Sequence, residues 1–124
     1  MARRLGIQPG NAIAVVNEPA DFWRLLRPLP ERVEVLERAD RPLDVLVYFS
    51  DTLENIERRV PAFAPLIAEA GALWVGHPRD KIPTARVDRV GARSRLGTAE
   101  LIDAGGGWLM RRFVRRPSGD AARR

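Results

Sequence analysis

Long apolar runs separated by polar and turn-forming residues dominate the pattern of this chain. Residues 12–16 form a continuous apolar run that is rich in β-branched side chains, and residues 43–49 form a second, nearly unbroken one. Runs of this kind are typical of strands buried on both faces of a parallel sheet. Residues 73–75 predict a third buried strand, whereas the alternation of polar and apolar residues over 32–37 indicates a half-buried edge strand.

Helical periodicity follows the second apolar run. Apolar residues recur at intervals of three and four between residues 53 and 70, which predicts a helix with one face against the sheet. Ser50 and Asp51 precede this segment and suit the cap of its first turn. Pro61 predicts a kink or the first turn of a second helix, and Gly71 predicts the end of the helical segment.

Two further segments carry weaker helical signals. Asp21 precedes the short apolar segment 22–26 and is expected to cap it, because a carboxylate accepts the free amide protons of a first turn. Residues 84–96 show helical spacing interrupted by Gly91, which is less favourable in a helix than alanine by about 1 kcal/mol.

The C-terminal third predicts a β-hairpin. Residues 99–103 and 108–114 have the composition of strands, and the glycine-rich segment 104–107 between them suits a hairpin loop. The same glycines do not form a phosphate-binding P-loop, because neither a helix nor a Lys-Ser or Lys-Thr pair follows them.

Alternating strands and helices predict an α/β fold. We expect a single three-layer Rossmann-like domain over residues 1–116, with a mainly parallel sheet and a C-terminal antiparallel hairpin. Residues 117–124 are expected to be a polar, basic tail. The chain has 124 residues, which suits one domain.

Composition excludes several classes of chemistry. The chain contains no cysteine, so disulfides, thiolate metal sites and cysteine nucleophiles are excluded. A single histidine, His77, excludes a metal site or a mechanism that needs two histidines. We therefore expect no metal site.

Charge is distributed unevenly along the chain. The 21 basic residues exceed the 16 acidic ones, and residues 79–124 alone carry a net charge of +7 against −2 for residues 1–78. A basic C-terminal third suits contact with nucleic acid, an anionic ligand or an acidic protein face, and the alternative is a solvated basic surface. No apolar run has the length of a membrane span, and no secretory h-region follows the first residues, so a cytoplasmic protein with no membrane contact is expected.

Three segments carry a resemblance to a known family. These are residues 5–10 (LGIQPG), 71–78 (GALWVGHP) and 107–116 (GWLMRRFVRR), together with the strand at 43–49. Over nearly its whole length the chain resembles a family of small bacterial proteins known only as a domain of unknown function.

More distantly, the chain resembles the sheet of class I S-adenosylmethionine-dependent methyltransferases, through the Pro9-Gly10 turn, the strand 43–49 and the segment 71–75. The resemblance implies a glycine-rich cofactor loop after the first strand, since glycine allows backbone amides to approach the cofactor closely. It also implies an acidic residue after the second strand, here Glu37 or Asp40. Residues 17–21 (NEPAD) occupy the loop and contain no glycine, so a degenerate methyltransferase-like fold without a cofactor is expected.

Ligands of open α/β sheets bind beyond the carboxyl ends of the parallel strands. The residues expected at that edge are Asn17, Glu18, Ser50, Asp51, His77 and Arg79. The alternative is that the first two shape a turn and that Ser50 and Asp51 only cap a helix. His77 suits a general base, because its ordinary pKa of about 6.5 lies near neutral pH, or an anion site; the alternative is a partly exposed loop histidine.

A second candidate site is the arginine-rich end of the last predicted strand. Arginines on both strand faces predict an exposed edge strand, where charge prevents association between sheets. With Trp108 and Phe113 nearby, the same arginines suit contacts with an anion or a nucleic acid. The candidates are Arg111, Arg112, Arg115 and Arg116.

Three functional hypotheses remain open. The favoured one is a non-catalytic binding or interaction module whose partner is another protein, because the cofactor loop lacks glycine and no nucleophile–base pair is evident. The second is a minimal transferase that binds an adenosyl-type or other small anionic ligand at the carboxyl edge of the strands. The third is an accessory protein that binds nucleic acid through its basic C-terminal region.

Overall fold

The computed structural model describes residues 1–38 and 40–116. Within them, β-strands and helices alternate over most of the chain. The elements are α1 (Ala2–Leu5), β1 (Ala12–Val16), α2 (Phe22–Leu26), β2 (Glu34–Val35), β3 (Leu43–Phe49), α3 (Leu53–Phe63), a 3₁₀ turn (Ala64–Leu66), β4 (Ile67–Pro78), α4 (Thr84–Arg93), β5 (Leu96–Gly105) and β6 (Trp108–Arg115). The predicted tail at 117–124 lies outside the described residues.

The strands form one six-stranded sheet in the order β2-β1-β3-β4-β6-β5. β1 pairs in parallel with β2 and β3, and β3 pairs in parallel with β4. β6 is antiparallel to both β4 and β5. The predicted α/β class, the mainly parallel sheet and the C-terminal antiparallel hairpin are therefore confirmed.

Helices cover the sheet on both faces and divide the core in two. On one face, α3 and α4 pack through Ile56, Val60 and Val87 against side chains such as Leu46 and Leu73. On the other face, the short helices α1 and α2 cover a second apolar cluster that includes Val47, Phe49, Trp74 and Met110. The burial of apolar side chains on both faces explains why β3 is apolar at almost every position.

The predicted boundary between the third helix and the following strand is wrong. α3 ends at Phe63 with Pro61 inside it, and β4 already begins at Ile67, so Gly71 lies within a strand. The pairing of β3 with β4 is irregular between Leu43 and Val45. A Cβ at Gly71 would lie only 2.7 Å from the Leu43 carbonyl oxygen, so this glycine allows the two backbones to approach at the irregularity.

The predicted edge position of the last strand is also wrong. β6 lies between β4 and β5, and β5 is the strand at that edge of the sheet. The hairpin turn consists of Gly106 and Gly107, both with positive φ, which suits the type I′ turn that joins two twisted strands.

The short strand β2 does lie at the opposite edge, as predicted, although only Glu34 and Val35 are assigned to it. No helix in the described ranges is long and apolar enough to cross a membrane.

Candidate functional site

The carboxyl ends of β1, β3 and β4 meet at one edge of the sheet, as the sequence predicts. Asn17 follows β1 in the left-handed region, with φ of 61°, and its Nδ2 donates a hydrogen bond of 2.8 Å to the Phe49 carbonyl oxygen. Asparagine tolerates this backbone conformation better than most residues. Its amide nitrogen therefore holds the ends of β1 and β3 together.

Glu18 also makes a contact within the protein. Its Oε2 accepts a hydrogen bond of 2.7 Å from Nε1 of Trp23 in α2, and the glutamate is half-buried. This bond fixes the loop after β1 against the first turns of α2. Asp21, which the sequence predicts as the cap of α2, makes no side-chain capping bond and is exposed.

The residues after β3 start α3. Ser50 is buried, its hydroxyl donates to the Thr52 carbonyl oxygen at 3.0 Å, and its Oγ accepts from the Thr52 N–H at 3.2 Å. Thr52 is the N-cap, because its side chain accepts from the Asn55 N–H at 3.2 Å. Asp51 is exposed beside them. The hydroxyl of Ser50 thus has a structural role at this position.

The prediction that His77 is a partly exposed loop residue is wrong. His77 lies within β4, is fully buried, and places Nδ1 3.1 Å from the Ile82 carbonyl oxygen and Nε2 3.4 Å from the Thr84 hydroxyl. Because a carbonyl only accepts, Nδ1 donates and Nε2 is free to accept from Thr84. Burial lowers the pKa of His77 below its ordinary value.

Arg79 lies at the end of β4 and joins the strand edge to the hairpin. Its backbone N–H donates to the Gly107 carbonyl oxygen at 2.8 Å, and its guanidinium forms an exposed ion pair with Asp103. The Gly105 N–H and the Arg79 guanidinium hold the pKa of the Asp103 carboxyl below its ordinary value. Arg79 therefore stabilises the hairpin.

A cavity of about 380 Å³ opens at this same edge, on the face that α1 and α2 cover. Its aromatic residues pack edge to face, with ring centroids 4.9 Å apart for Phe22 and Phe49 and 5.2 Å apart for Phe49 and Trp108. We call this cavity the edge pocket. The residues that line it are Pro19, Ala20, Asp21, Phe22, Leu25, Phe49, Ala104, Gly105, Gly106 and Trp108.

Sequence reasoning missed the edge pocket, because three separate segments form it. One signal was available in the sequence, a tryptophan, Trp108, directly after a tight glycine turn. The exposure of Leu25, 47%, is visible only in the structure. Gly76 also contributes, since a Cβ there would come within 2.4 Å of the Phe49 ring. This glycine leaves the space in which Phe49 forms the pocket wall.

The arginines of β6 are engaged within the protein. Arg111 makes a bidentate pair with Asp88 of α4, with Nε 2.8 Å from Oδ1 and Nη2 3.0 Å from Oδ2, and also donates to the Ala99 carbonyl oxygen. Arg112 pairs with Glu100 at 2.8 Å, and Arg115 donates to the Ile67 carbonyl oxygen at 2.9 Å. Arg116 follows the strand and is exposed.

Comparisons with known proteins identify the fold. No family model matches the sequence, and no curated protein sequence matches it. Among solved structures, a ribosomal protein L11 methylase from Lactobacillus delbrueckii is similar with a TM-score of 0.62 and 13% identity, over 94% of this chain and 75% of that one. The fold is methyltransferase-like.

Two further solved structures agree with this result. A TehB-like SAM-dependent methyltransferase from Corynebacterium glutamicum gives a TM-score of 0.59 at 11% identity, over 93% of this chain and 85% of that one. A magnesium protoporphyrin IX methyltransferase from Synechocystis, solved with bound SAM, gives a TM-score of 0.63 at 7% identity, over 93% of this chain and 76% of that one. At these identities the similarity establishes the fold alone.

The loop that would hold an adenosyl cofactor does not fit that group. Residues 17–21 contain no glycine, and Pro19 has no backbone N–H to offer. The side chains of Asn17 and Glu18 are already bonded to Phe49 and Trp23. Glu37 and Asp40, the two candidate acids after β2, are both exposed. Residues 1–38 and 40–116 also contain no cluster of three His, Asp or Glu side chains suited to a metal ion.

Proposed function

We propose that this protein is a non-catalytic binding module with a methyltransferase-like fold, and that its partner is another protein. The observation that carries the proposal is the state of the polar groups at the carboxyl edge. Asn17, Glu18 and His77 each make a hydrogen bond to a neighbouring segment. Ser50 bonds within the turn that starts α3, and Asp51 is exposed beside it. A general base must also reach the proton that it abstracts, and the ring of His77 is fully buried.

The edge pocket suits an apolar side chain from a protein partner. Small-molecule sites combine apolar walls with a few placed polar groups that fix the orientation of the ligand. Here Asp21 is the one charged side chain among the lining residues, and it lies exposed at the rim. Leu25 extends the apolar surface beyond the pocket, so a protein surface would cover both.

Calorimetric titration with S-adenosylmethionine and S-adenosylhomocysteine tests the non-catalytic part of the proposal. We expect no heat of binding and no rise in melting temperature at millimolar ligand, because the loop at 17–21 lacks a cofactor cradle. A ligand at about 100 times its dissociation constant would add about 2.7 kcal/mol to the free energy of unfolding, a readily measured shift. Such a shift would overturn the proposal in favour of the minimal transferase.

Titration with indole, followed by two-dimensional ¹⁵N NMR, tests the pocket itself. Indole should shift the amide signals of residues 20–25 and 104–108 and few others. The variant Ala104→Leu places a larger side chain in the pocket and should abolish these shifts. Ala62→Leu, an equal change on the exposed surface of α3, is the matched control and should leave them unchanged. Equal responses in both variants would exclude the edge pocket as the binding site.

A further inference from the structure

Much of the positive charge that the sequence predicts on the last strand is engaged within the protein. Arg111, Arg112 and Arg115 are bound to Asp88, Glu100 and the Ile67 carbonyl oxygen. Arg111, which uses three of its donors on Asp88 and the Ala99 carbonyl oxygen, is a poor contact for an outside anion. Arg116, just after the strand, is exposed, and a larger group of exposed arginines lies on α4.

The outer side of α4 carries three arginines in a row. Arg86, Arg89 and Arg93 are spaced by three and four residues, so they share one helix face, and all three are exposed. None of them forms an ion pair with a carboxylate of the described residues, whereas Asp88 on the same helix is bound to Arg111.

The same three arginines line one cleft between α4 and α3. The cleft has a volume of about 160 Å³, and its other lining residues are Leu53, Glu57 and Val90. Three arginines and a single acidic residue, Glu57, thus line this cleft. We call this surface the arginine cleft; it lies on the α3 and α4 face of the sheet, whereas the edge pocket lies on the face that α1 and α2 cover.

The dimensions and composition of the arginine cleft favour a chain of phosphates. Arg86 and Arg93 are seven residues apart, which corresponds to about 10 Å along an α-helix. The row of three arginines is therefore longer than a single phosphate group. Guanidinium groups bind phosphate oxygens through paired N–H donors. No aromatic side chain lines the cleft, so it offers no platform on which a base could stack.

We propose that the arginine cleft binds the phosphate backbone of a nucleic acid strand without reading its sequence. Contacts to phosphate position a strand but carry no sequence information, which matches a surface with charged donors and no stacking platform. The bound strand would run along α4, contacting Arg86, Arg89 and Arg93 in turn.

Fluorescence anisotropy with a labelled 20-nucleotide single-stranded RNA of mixed sequence, over a range of salt concentrations, tests this proposal. The triple variant Arg86→Gln, Arg89→Gln, Arg93→Gln removes the three cations that would meet phosphates. For single strands, the slope of log affinity against log salt changes by about 0.7 for each phosphate that the protein neutralises, so the slope should fall by about 2. At low salt the affinity should fall at least about tenfold, since most of this binding is electrostatic.

The matched control removes the same charge elsewhere. Arg3, Arg27 and Arg38 are exposed and lie outside α3 and α4, so Arg3→Gln, Arg27→Gln, Arg38→Gln should keep most of the affinity and the salt slope. Melting temperatures of both variants establish that each is folded.

Three results would overturn the proposal. Equal loss of affinity in the two triple variants would mean that net charge alone attracts RNA. Preference for one RNA sequence over its scrambled version would contradict backbone recognition. Absence of RNA binding by the wild-type protein at 50 mM salt, with binding of an acidic poly-glutamate peptide instead, would assign the cleft to a protein partner.

Discussion

At the scale of single residues, the same side-chain chemistry suits a reactive site or a structural bond, and the neighbours decide between them. His77 is the one side chain of the chain whose ordinary pKa lies near neutral pH, which makes it a candidate base in the sequence. In the structure, both ring nitrogens face partners on the segment that leads into α4, namely Ile82 and Thr84. The ring therefore fixes this segment against β4.

Burial of His77 predicts that acid destabilises the protein. The pKa of His77 is lower in the folded chain than in the unfolded one, mainly because burial disfavours the charged ring; Asp88 and Arg111 exert smaller, opposing effects. Above about pH 6.5 the ring is neutral in both states and the stability is fully present. As the pH falls from 6.5 towards the folded pKa, the unfolded state binds the proton first, so stability is lost.

Urea denaturation of the wild type and of His77→Gln between pH 5 and pH 8 checks this expectation. The variant should be less stable at pH 8 by about 1–3 kcal/mol, the usual effect of removing a buried hydrogen bond. Between pH 7 and pH 5.5, the free energy of unfolding of the variant should also fall much less than that of the wild type. An unchanged decline in the variant would mean that other groups cause it.

Gly91 is a second residue whose role depends on a distant neighbour. A Cβ at this position of α4 would lie 2.2 Å from the Phe113 ring of β6, so the missing side chain lets the ring pack against the helix. Gly91→Ala should gain about 1 kcal/mol of helix propensity but cost more through overpacking, which typically amounts to about 1–3 kcal/mol.

A double-mutant cycle separates these two effects. Gly91→Ala should destabilise the wild type, yet it should be neutral or stabilising in a Phe113→Leu background, where the smaller side chain leaves room. Chemical denaturation of the four proteins gives the coupling energy. Equal destabilisation in both backgrounds would contradict the proposed contact.

At the scale of elements, the sequence predicts a strand best where the strand is buried on both faces of the sheet. The predicted bounds of 43–49 agree with β3, because a central strand is apolar on both faces. The local pattern predicts a helix over residues 67–70, because Ile67 and Ala70 continue the helical spacing. The pairing of Ile67 with Leu43 decides otherwise, and that contact is not visible in a local pattern.

The attachment of α1 to the sheet gives a prediction at this scale. Nε1 of the buried Trp74 donates to the Leu5 carbonyl oxygen at 3.0 Å, and this bond joins the end of α1 to β4. Trp74→Ala should cost about 3–5 kcal/mol by emptying the core. Trp74→Phe keeps an aromatic ring but removes the donor, and should cost about 1–3 kcal/mol.

Hydrogen exchange of the α1 amides shows whether the bond from Trp74 to Leu5 holds α1 in place or whether its loss destabilises the whole fold. The amides of Leu5, Gly6 and Ile7 form hydrogen bonds within this segment. In Trp74→Phe, their exchange rates should rise relative to the wild type by more than those of the β3 amides. Uniform acceleration across the molecule would mean that the tryptophan stabilises the fold as a whole and not the attachment of α1.

At the scale of the whole molecule, topology brings together the candidate residues that the sequence identifies at the carboxyl edge, but it does not determine their roles. Asn17 bonds to Phe49, 32 residues away, and Arg111 bonds to Asp88, 23 residues away. Such partners depend on strand order and register. For the same reason, the segments that together line the edge pocket and the arginine cleft could not be identified from the sequence, although the spacing of Arg86, Arg89 and Arg93 is visible in it.

The central sheet separates the two surfaces, so we expect them to act independently. Substitutions at distant sites without shared partners are usually additive within about 0.3–0.5 kcal/mol, or about twofold in affinity. Ala104→Leu should therefore leave RNA affinity within about twofold of the wild type, and the Arg86, Arg89, Arg93 variant should leave the indole-induced NMR shifts unchanged. A larger effect of either variant on the other surface would contradict this independence and would mean that the two surfaces are coupled through the sheet.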